Sequence, residues 1–145
     1  MCGIAGFLDF NRKTNREDLV SMTDVIQYRG PDDSGHEFVS VKDYHLGLGH
    51  RRLSIIDLSP LGHQPMKFQQ FTIVYNGEIY NHASIRKDLE KEGYSFQSNS
   101  DTEVILKSLH RWGMDCLSRF RGMWAFAVWD SNREELILCR DRLGV

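Results

Sequence analysis

The sequence is poor in cysteine, and its few cysteines lie far apart. They are Cys2, Cys116 and Cys139. An odd number at such wide spacing is typical neither of a disulfide framework nor of a structural zinc site. The six histidines are scattered and form no obvious set of metal ligands. We therefore expect a protein of a reducing compartment, the cytoplasm, with no metal bound by this segment.

Neither sign of charge is in excess, and no apolar run is long. The formal net charge is -2, with acidic and basic residues mixed along the chain. Nothing therefore favours a nucleic acid or an anionic membrane as a partner. The longest apolar run, 123–129, suits a buried strand and is too short to cross a membrane. The N-terminus also lacks the basic and then apolar layout of a signal peptide.

A chain of 145 residues has the size of one domain and can bury a hydrophobic core. The stretch 123–130 is apolar on both alternating faces, which indicates a strand covered on both sides. Turn residues at 29–35 predict a loop, and Ser100 with Glu103 predicts a capping box. Together the patterns predict an α+β fold with stacked sheets and helices outside. Strands are predicted at 2–10, 36–41, 44–53, 71–75, 123–130 and 135–140, and helices from Glu17, His82 and Asp101.

The first candidate for chemistry is Cys2, directly behind the initiator methionine. Removal of Met1 would give Cys2 a free α-amine beside its thiol, which places a nucleophile and a base in one residue. We expect that removal, because aminopeptidases tolerate a small second residue. A cysteine at position 2 is more often an ordinary cysteine, so the rest of the chain has to support the catalytic interpretation.

Three further positions each allow a functional and a structural interpretation. Arg52 stands where a predicted strand runs out into a loop; it could bind a carboxylate in bidentate fashion or simply lie on the surface. Asn76 and Gly77 follow a predicted strand, and they offer an oxyanion hole or a tight hairpin turn. Asp101, at the start of a helix, could hold a substrate ammonium or only complement the helix dipole.

Taken in order, six motifs resemble those of class II glutamine amidotransferases, and in particular the glutaminase domain of glutamine-hydrolysing asparagine synthetases. The resemblance covers the whole chain. Six motifs in the right order are far more specific than any one of them. The motifs are CGI at 2–4, RGPD at 29–32, RLSIID at 52–57, YNGEIYN at 75–81, SDTE at 100–103 and RDRLGV at 140–145.

The resemblance implies an N-terminal-nucleophile fold, which is a four-layer αββα sandwich. It implies a glutaminase that converts glutamine to glutamate and ammonia through a thioester on Cys2, with the Cys2 amine as base. It also implies a role for each matched residue. Asn76 and Gly77 would form the oxyanion hole, Glu78 and Asp101 would hold the α-ammonium, and Arg52 would bind the α-carboxylate, with the backbone of Leu53, Ser54, Ile55 and Ile56 lining that side.

In this family a synthetase domain of the same chain binds ATP and magnesium, adenylates a carboxylate and receives the ammonia. We expect residues 1–145 to be the glutaminase domain, incomplete at its C-terminal end and without the synthetase domain, because 143–145 resembles the middle of a family motif. No cofactor is expected in the segment itself. The expected partners are L-glutamine, the synthetase domain and, as one assembly, a second copy of the chain.

Other interpretations stay open. A different N-terminal-nucleophile amidohydrolase would act on another amide, but the paired binders for ammonium and carboxylate argue against it. A catalytically silent regulatory domain is disfavoured because Cys2, Asn76 and Gly77 are intact. Within the family, the ammonia acceptor could be aspartate, which gives asparagine, or a sugar acid in surface polysaccharide synthesis. The missing domain decides between these acceptors.

Overall fold

The computed structural model describes residues 2–54 and 57–145. Within them the chain forms two antiparallel sheets and three α-helices. The strands are β1 (Gly3–Asp9), β2 (Asp33–Ser40), β3 (His45–Arg52), β4 (Met66–Phe68), β5 (Phe71–Ile79), β6 (Gly122–Asp130) and β7 (Glu135–Arg140). The helices are α1 (Arg16–Val25), α2 (His82–Lys91) and α3 (Asp101–Trp112), with short 3-10 turns at Gln27–Arg29, Pro60–Gly62 and Gly113–Ser118.

The strand order brings the N-terminus beside the end of β3. One sheet has three strands in the order β1-β3-β2, and the other has four in the order β4-β5-β6-β7. Gly3 pairs with Arg51, so Cys2, just before β1, comes alongside Arg52, the last residue of β3. In the second sheet, β5 pairs with β6 along its whole length.

Alternate residues of the central strand β6 face two different cores. Ala127 and Trp129 pack between the two sheets. Trp124, Phe126 and Val128 point to the opposite face, into the core that also holds the buried residues of α2 and α3. This strand is therefore covered on both sides, as its apolar pattern predicts. With α1 on the outer face of the three-stranded sheet, the layers are helix, sheet, sheet and helices, which confirms the αββα sandwich.

Helix α1 lies close to the three-stranded sheet because glycine leaves room for it. A Cβ on Gly49 would come within 2.2 Å of Thr23 Oγ1 and 3.4 Å of Leu19 Cδ1. The helix begins with a capping box: Asn15 Oδ1 accepts from the Asp18 N–H at 2.9 Å, and the Asp18 carboxylate accepts from the Asn15 N–H at 2.8 Å. Local capping and close packing thus fix this outer helix.

Two segments differ from the expectation based on sequence. Strand β2 begins at Asp33, inside the segment predicted as a loop, because residues 33–35 pair with residues 50–52 of β3. Asn76 and Gly77 form no turn. Strand β5 continues through both of them to Ile79, because β6 offers a pairing partner at every position. A dipeptide typical of hairpin turns therefore lies inside a strand.

The capping box predicted at α3 is half right. Ser100 Oγ accepts a hydrogen bond from the first turn of the helix at 3.0 Å, as an N-cap does. Glu103 does not return to Ser100. Its carboxylate accepts from the main chain of Gln97 and Ser98 and from the Ser98 hydroxyl at 2.7–3.2 Å, and it forms an ion pair with Lys107. Both charged side chains are buried, so this carboxylate ties the preceding segment to the helix.

Removing that carboxylate should be costly. We expect Glu103→Ala to lower the free energy of unfolding by roughly 3–5 kcal/mol, because the Lys107 ammonium would stay buried without its counter-charge. The solvent-exposed pair of Asp88 and Lys91, 3.0 Å apart on α2, gives a matched control. Asp88→Ala should change the free energy of unfolding by only about 0–1 kcal/mol. Urea unfolding followed by circular dichroism measures both, and equally small effects would contradict the buried-pair account.

Candidate active site

A cavity of about 110 Å³ lies where the ends of β1 and β3 meet β5 and the start of α3. It brings together residues as far apart in the sequence as Cys2 and Met123. The predicted site residues that line it are Cys2, Arg52, Leu53, Asn76, Gly77, Glu78 and Asp101. The other lining residues are Asp57, Gly62, Gln64, Tyr75, Ser100, Thr102 and Met123.

Cys2 is held at this cavity through both its side chain and its main chain. The Leu53 N–H donates to Cys2 Sγ at 3.3 Å, and Sγ lies 3.6 Å from the Leu53 carbonyl oxygen. Arg29 Nε donates to the Cys2 carbonyl at 3.0 Å. The side chain is neither fully buried nor paired with another cysteine. A half-exposed thiol fixed on the cavity wall can reach a ligand.

The edge of β5 that faces away from β6 loses its neighbouring strand after Ile73. Strand β4 pairs with β5 only from Phe71 to Ile73. Pro65, just before β4, has no N–H with which to extend the ladder. From Tyr75 onward, the main-chain groups on this edge therefore need partners other than a strand.

Alternate N–H groups of β5 point to this open edge, and side chains satisfy two of them. The Tyr75 N–H donates to Gln64 Oε1 at 2.6 Å. The Ile79 N–H donates to Asp101 Oδ2 at 3.0 Å. Continuing the register of β4 would place residue 64 opposite residue 75, so the Gln64 side chain substitutes for the missing strand.

The N–H between these two, that of Gly77, is left for the cavity. Its neighbour in the ladder is Trp124, but the N–H and C=O of Trp124 both bond to Asp141 on the opposite side. Gly77 has φ of 155°, and a Cβ there would come within 2.2 Å of the Met123 carbonyl oxygen. Only glycine fits this backbone position, which presents a main-chain donor to a ligand.

The side chain of Asn76 projects from the face of β5 that lies against the three-stranded sheet. Its neighbour Val74 lies on the same face, in the core between the sheets. Asn76 Oδ1 is buried and has no hydrogen-bond partner in the part of the chain that the structure describes. Asn76 and Gly77 both line the cavity, so the NH2 group of the Asn76 amide and the Gly77 N–H are two candidate donors for an oxyanion.

Arg52 provides a fixed positive charge in the same cavity. Its side chain is almost entirely buried, with the residue 8% exposed. The guanidinium donates to the carbonyl oxygens of Ser59, at 2.9 Å, and Asp57. A Cβ on Gly62 would come within 2.1 Å of Arg52 Nη2, so glycine makes room for the guanidinium. Among the described residues, two of its five donors are used in this way, and the other donors can reach a carboxylate.

The loop that holds Arg52 is itself anchored by Asp57. The Asp57 carboxylate accepts from the Ser59 N–H at 2.8 Å and from the Asn99 N–H at 2.9 Å. Hydrogen bonding from Ser59, with a smaller part from Asn99, lowers the pKa of Asp57 below its ordinary value. This anion therefore ties the loop after β3 to the segment that precedes α3.

Asp101 provides the negative charge, and one of its oxygens is committed to the protein. Asp101 is 5% exposed. Its Oδ2 accepts from the Tyr75 hydroxyl at 2.7 Å and from the Ile79 N–H at 3.0 Å. Burial, reinforced by the Asp101 charge, raises the pKa of Tyr75 well above its ordinary value, so the phenol remains a donor. No bond from a described residue reaches Oδ1, which leaves that oxygen for a cation in the cavity.

The remaining predicted residues fall outside this arrangement or at its rim. Glu78 lines the cavity and is exposed. Ser54 does not line it: its N–H donates to Asp32 Oδ2 at 2.8 Å, and it borders a neighbouring surface depression. Ile55 and Ile56 lie outside the described residues. Gln64 lies outside the six motifs, and Tyr75 begins one of them without a role assigned to it. Both are structural parts of the site whose contacts involve distant segments.

Two further features bear on the kind of site. Among residues 2–54 and 57–145, no group of three or more His, Cys, Asp or Glu side chains could hold a metal ion. In the same part of the chain, no helix has the length and apolar character needed to cross a membrane.

Comparison with known proteins points to one family. A family model described as a glutamine amidotransferase domain matches residues 1–145. Over its whole length the chain is 41% identical to putative asparagine synthetase [glutamine-hydrolyzing] 2 of Methanocaldococcus jannaschii and covers 31% of that protein. It is 43% identical to asparagine synthetase [glutamine-hydrolyzing] 3 of Bacillus subtilis, covering 24%, and 40% identical to amidase chry2 of Gibberella zeae, covering 23%. The chain thus spans 23–31% of the length of these relatives.

The fold also resembles a solved structure, that of glutamine phosphoribosylpyrophosphate amidotransferase from Bacillus subtilis in complex with ADP and GMP. The TM-score is 0.77, and the match covers 97% of this chain and 37% of the other. The sequence identity is 20%, so this likeness concerns the fold alone.

The fit of Gly77 can be tested by comparison with a second glycine at positive φ. Gly93 has φ of 92° and nothing within 4 Å of an added Cβ. Gly93→Ala should therefore cost only the backbone strain, about 1–3 kcal/mol. Gly77→Ala should destabilise more, by roughly 1–3 kcal/mol beyond that, because the methyl group overlaps the Met123 carbonyl. Denaturant unfolding measures both, and equal losses would mean that the strand beside Gly77 yields freely.

Proposed function

The chain belongs to the glutamine amidotransferase domain family, and we propose that it hydrolyses L-glutamine through a thioester on Cys2. The observation that carries the proposal is the Gly77 N–H, which has no strand partner among the described residues and belongs to a cavity that Cys2 also lines. The cavity is also lined by the Arg52 cation and by two buried carboxylates, those of Asp101 and Asp57. Both Asp57 oxygens accept from main-chain N–H groups, and Asp101 Oδ1 accepts no bond from a described residue. An amide with a zwitterionic end has the complementary set of groups.

Each end of glutamine has a candidate partner. Arg52 binds the α-carboxylate with the guanidinium donors that the loop carbonyls leave unused. Asp101 Oδ1 and the exposed Glu78 carboxylate hold the α-ammonium. Leu53, the next residue along the chain, also lines the cavity and flanks the carboxylate side. These contacts orient the side-chain amide of glutamine towards Cys2, and such orientation accounts for a large part of catalysis.

The reaction then has two halves. After removal of Met1, the α-amine of Cys2 takes the thiol proton, and sulfur attacks the amide carbon. The carbonyl electrons move to oxygen, where the Gly77 N–H and the Asn76 amide stabilise the oxyanion. Collapse breaks the C–N bond, and the Cys2 ammonium gives its proton to the leaving nitrogen, which departs as ammonia. Water, deprotonated by the same amine, attacks the thioester and releases glutamate and the thiol.

We further propose that the longer protein uses this ammonia to make asparagine from aspartate. The two relatives named as glutamine-hydrolysing asparagine synthetases, at 41% and 43% identity, support that acceptor. ATP and magnesium belong in this proposal to a synthetase domain outside the present segment. A cytoplasmic location agrees with the three unpaired cysteines.

The sharpest test of the mechanism is the state of the N-terminus. A variant with a protease site ahead of Cys2 carries an amide nitrogen in place of the amine, and an amide nitrogen cannot take the thiol proton near neutral pH. We expect almost no ammonia release from glutamine before cleavage and full activity after it, with mass spectrometry confirming each terminus. Retention of Met1 should have the same effect as the uncleaved extension.

The matched control for this test is Cys2→Ala in the same cleavable form. It should stay inactive after cleavage while glutamine binding, measured by calorimetry, is largely kept, because the thiol makes few contacts in the ground state. Full activity of the uncleaved protein would remove the amine from the mechanism and make another group the base.

Substitution of the two charged residues should affect mainly KM, and substitution of Asn76 should affect mainly kcat. We expect Arg52→Ala and Asp101→Asn to raise KM for glutamine by roughly one to two decades, since a charged hydrogen bond is worth about 1.5–3 kcal/mol. Asn76→Ala should instead lower kcat by about 10²–10³, because its amide acts on the oxyanion. Steady-state glutaminase kinetics check both. An unchanged KM in either charge variant, or an unchanged kcat for Asn76→Ala, would contradict the role assigned to that residue.

A further inference from the structure

His50 is a fully buried side chain that the reaction scheme does not use. It lies on β3, on the same face as Arg52 and Leu48, and is 0% exposed. Its Nε2 lies 3.1 Å from the carbonyl oxygen of Tyr75 on the opposing sheet. A carbonyl oxygen can only accept, so Nε2 carries the proton. Burial lowers the pKa of His50 to about 4, which keeps the ring in that neutral tautomer at neutral pH.

The acceptor of this bond lies on the open edge of β5. There, Gln64 Oε1 accepts from the Tyr75 N–H at 2.6 Å, and His50 donates to the Tyr75 carbonyl. Both main-chain groups of Tyr75 are therefore held by buried side chains from other elements. Gln64 is fixed in turn, because its Nε2 donates to Thr102 Oγ1 at 3.2 Å at the start of α3.

This restraint immediately precedes the two oxyanion donors. Gly77 has no side chain to fix its peptide orientation, and within residues 2–54 and 57–145 its N–H has no strand partner. Its direction must therefore be set by the backbone on either side, which is held by Tyr75 before it and by the Ile79–Asp101 bond after it. The main chain is therefore fixed at Tyr75 and Ile79, on either side of Gly77, while the Gly77 N–H remains available to a ligand.

We infer that His50 is a positioning residue, which together with Gln64 clamps the main chain of Tyr75 and so aims the Asn76 amide and the Gly77 N–H at the cavity. This inference rests on the proposed glutaminase reaction for its catalytic consequence. Its structural part, the restraint of residues 75–77 from the opposing sheet, stands independently. His50 does not line the cavity, so its effect on substrate is indirect.

Kinetics of two His50 variants give the first readout. His50→Leu removes the donor and should lower kcat by roughly 10- to 100-fold, because a displacement of about 1 Å at reacting groups costs on the order of 10². KM should change little, since Arg52 and Asp101 keep their own anchors. His50→Gln should retain most of the turnover, because the Gln Nε2 occupies the position of the His Nε2.

Leu48→Ala provides the matched control. Leu48 lies on the same strand and face, is 2% exposed, and packs in the core between the sheets. The Leu48→Ala variant should have a lower melting temperature, because the substitution leaves a cavity. Its kcat should equal that of wild type when all variants are assayed well below their melting temperatures. Gln64→Met removes the other half of the clamp and should repeat the loss of kcat, which provides a second variant should His50→Leu fail to fold.

Amide hydrogen exchange over residues 74–79, measured without glutamine, gives a readout that does not depend on activity. Exchange there should be faster in His50→Leu than in wild type, close to wild type in His50→Gln, and unchanged in Leu48→Ala after correction for global stability. Should wild-type protein show no glutaminase activity, the proposed function fails and exchange alone decides the clamp. Unchanged exchange in His50→Leu and Gln64→Met, or a kcat equal to that of Leu48→Ala, overturns the inference.

Discussion

The site depends on the early end of one strand ladder. Strand β4 is three residues long, and the proline before it has no N–H with which to continue pairing. Strand β5 is longer and remains paired to β6 on its other side. It therefore carries a stretch of backbone that is fixed as a strand but open along one edge. Such an edge is a row of donors and acceptors in known geometry, each of which needs a partner.

The alternation of a strand decides how these donors are shared. The first and third N–H groups on the open edge are satisfied by Gln64 and Asp101, and the middle one, of Gly77, faces the cavity. Because Tyr75 and Ile79 are fixed, the direction of the Gly77 N–H is set even though this group has no hydrogen-bond partner among the described residues. This arrangement needs little movement when a negative oxygen arrives, and low reorganisation is what makes fixed donors effective in catalysis.

Arg52 and Asp101, two of the charged residues that line the cavity, are held by opposite kinds of hydrogen bond. The Arg52 cation donates to carbonyl oxygens of the loop after β3, and the Asp101 anion accepts from a hydroxyl and a main-chain N–H. Neither charge neutralises the other through direct pairing among the described residues. Buried charges are costly unless they are hydrogen-bonded. Each is stabilised by neutral dipoles, and each keeps part of its capacity for a ligand with the opposite charge.

The sequence determined the layers of the fold and the chemical groups of the site. The two-faced strand at 123–130 and the helix starts can be read from local patterns, because apolar periodicity and capping are properties of neighbouring residues. The resemblance of six ordered motifs to a known family selects the set Cys2, Arg52, Asn76, Gly77 and Asp101. The structure adds that its members line one cavity.

Which main-chain groups lack a partner in a strand or helix depends on tertiary contacts that local sequence does not show. The tertiary structure placed Asn76 and Gly77 inside a strand and not in a turn, turned Glu103 away from its own helix cap, and brought His50 and Gln64 to the main chain of Tyr75. Each outcome depends on whether a partner from a distant segment is present at that position. Local sequence determines the conformational preference of a residue. The availability of hydrogen-bonding partners depends instead on the order of the strands and on where each strand ends.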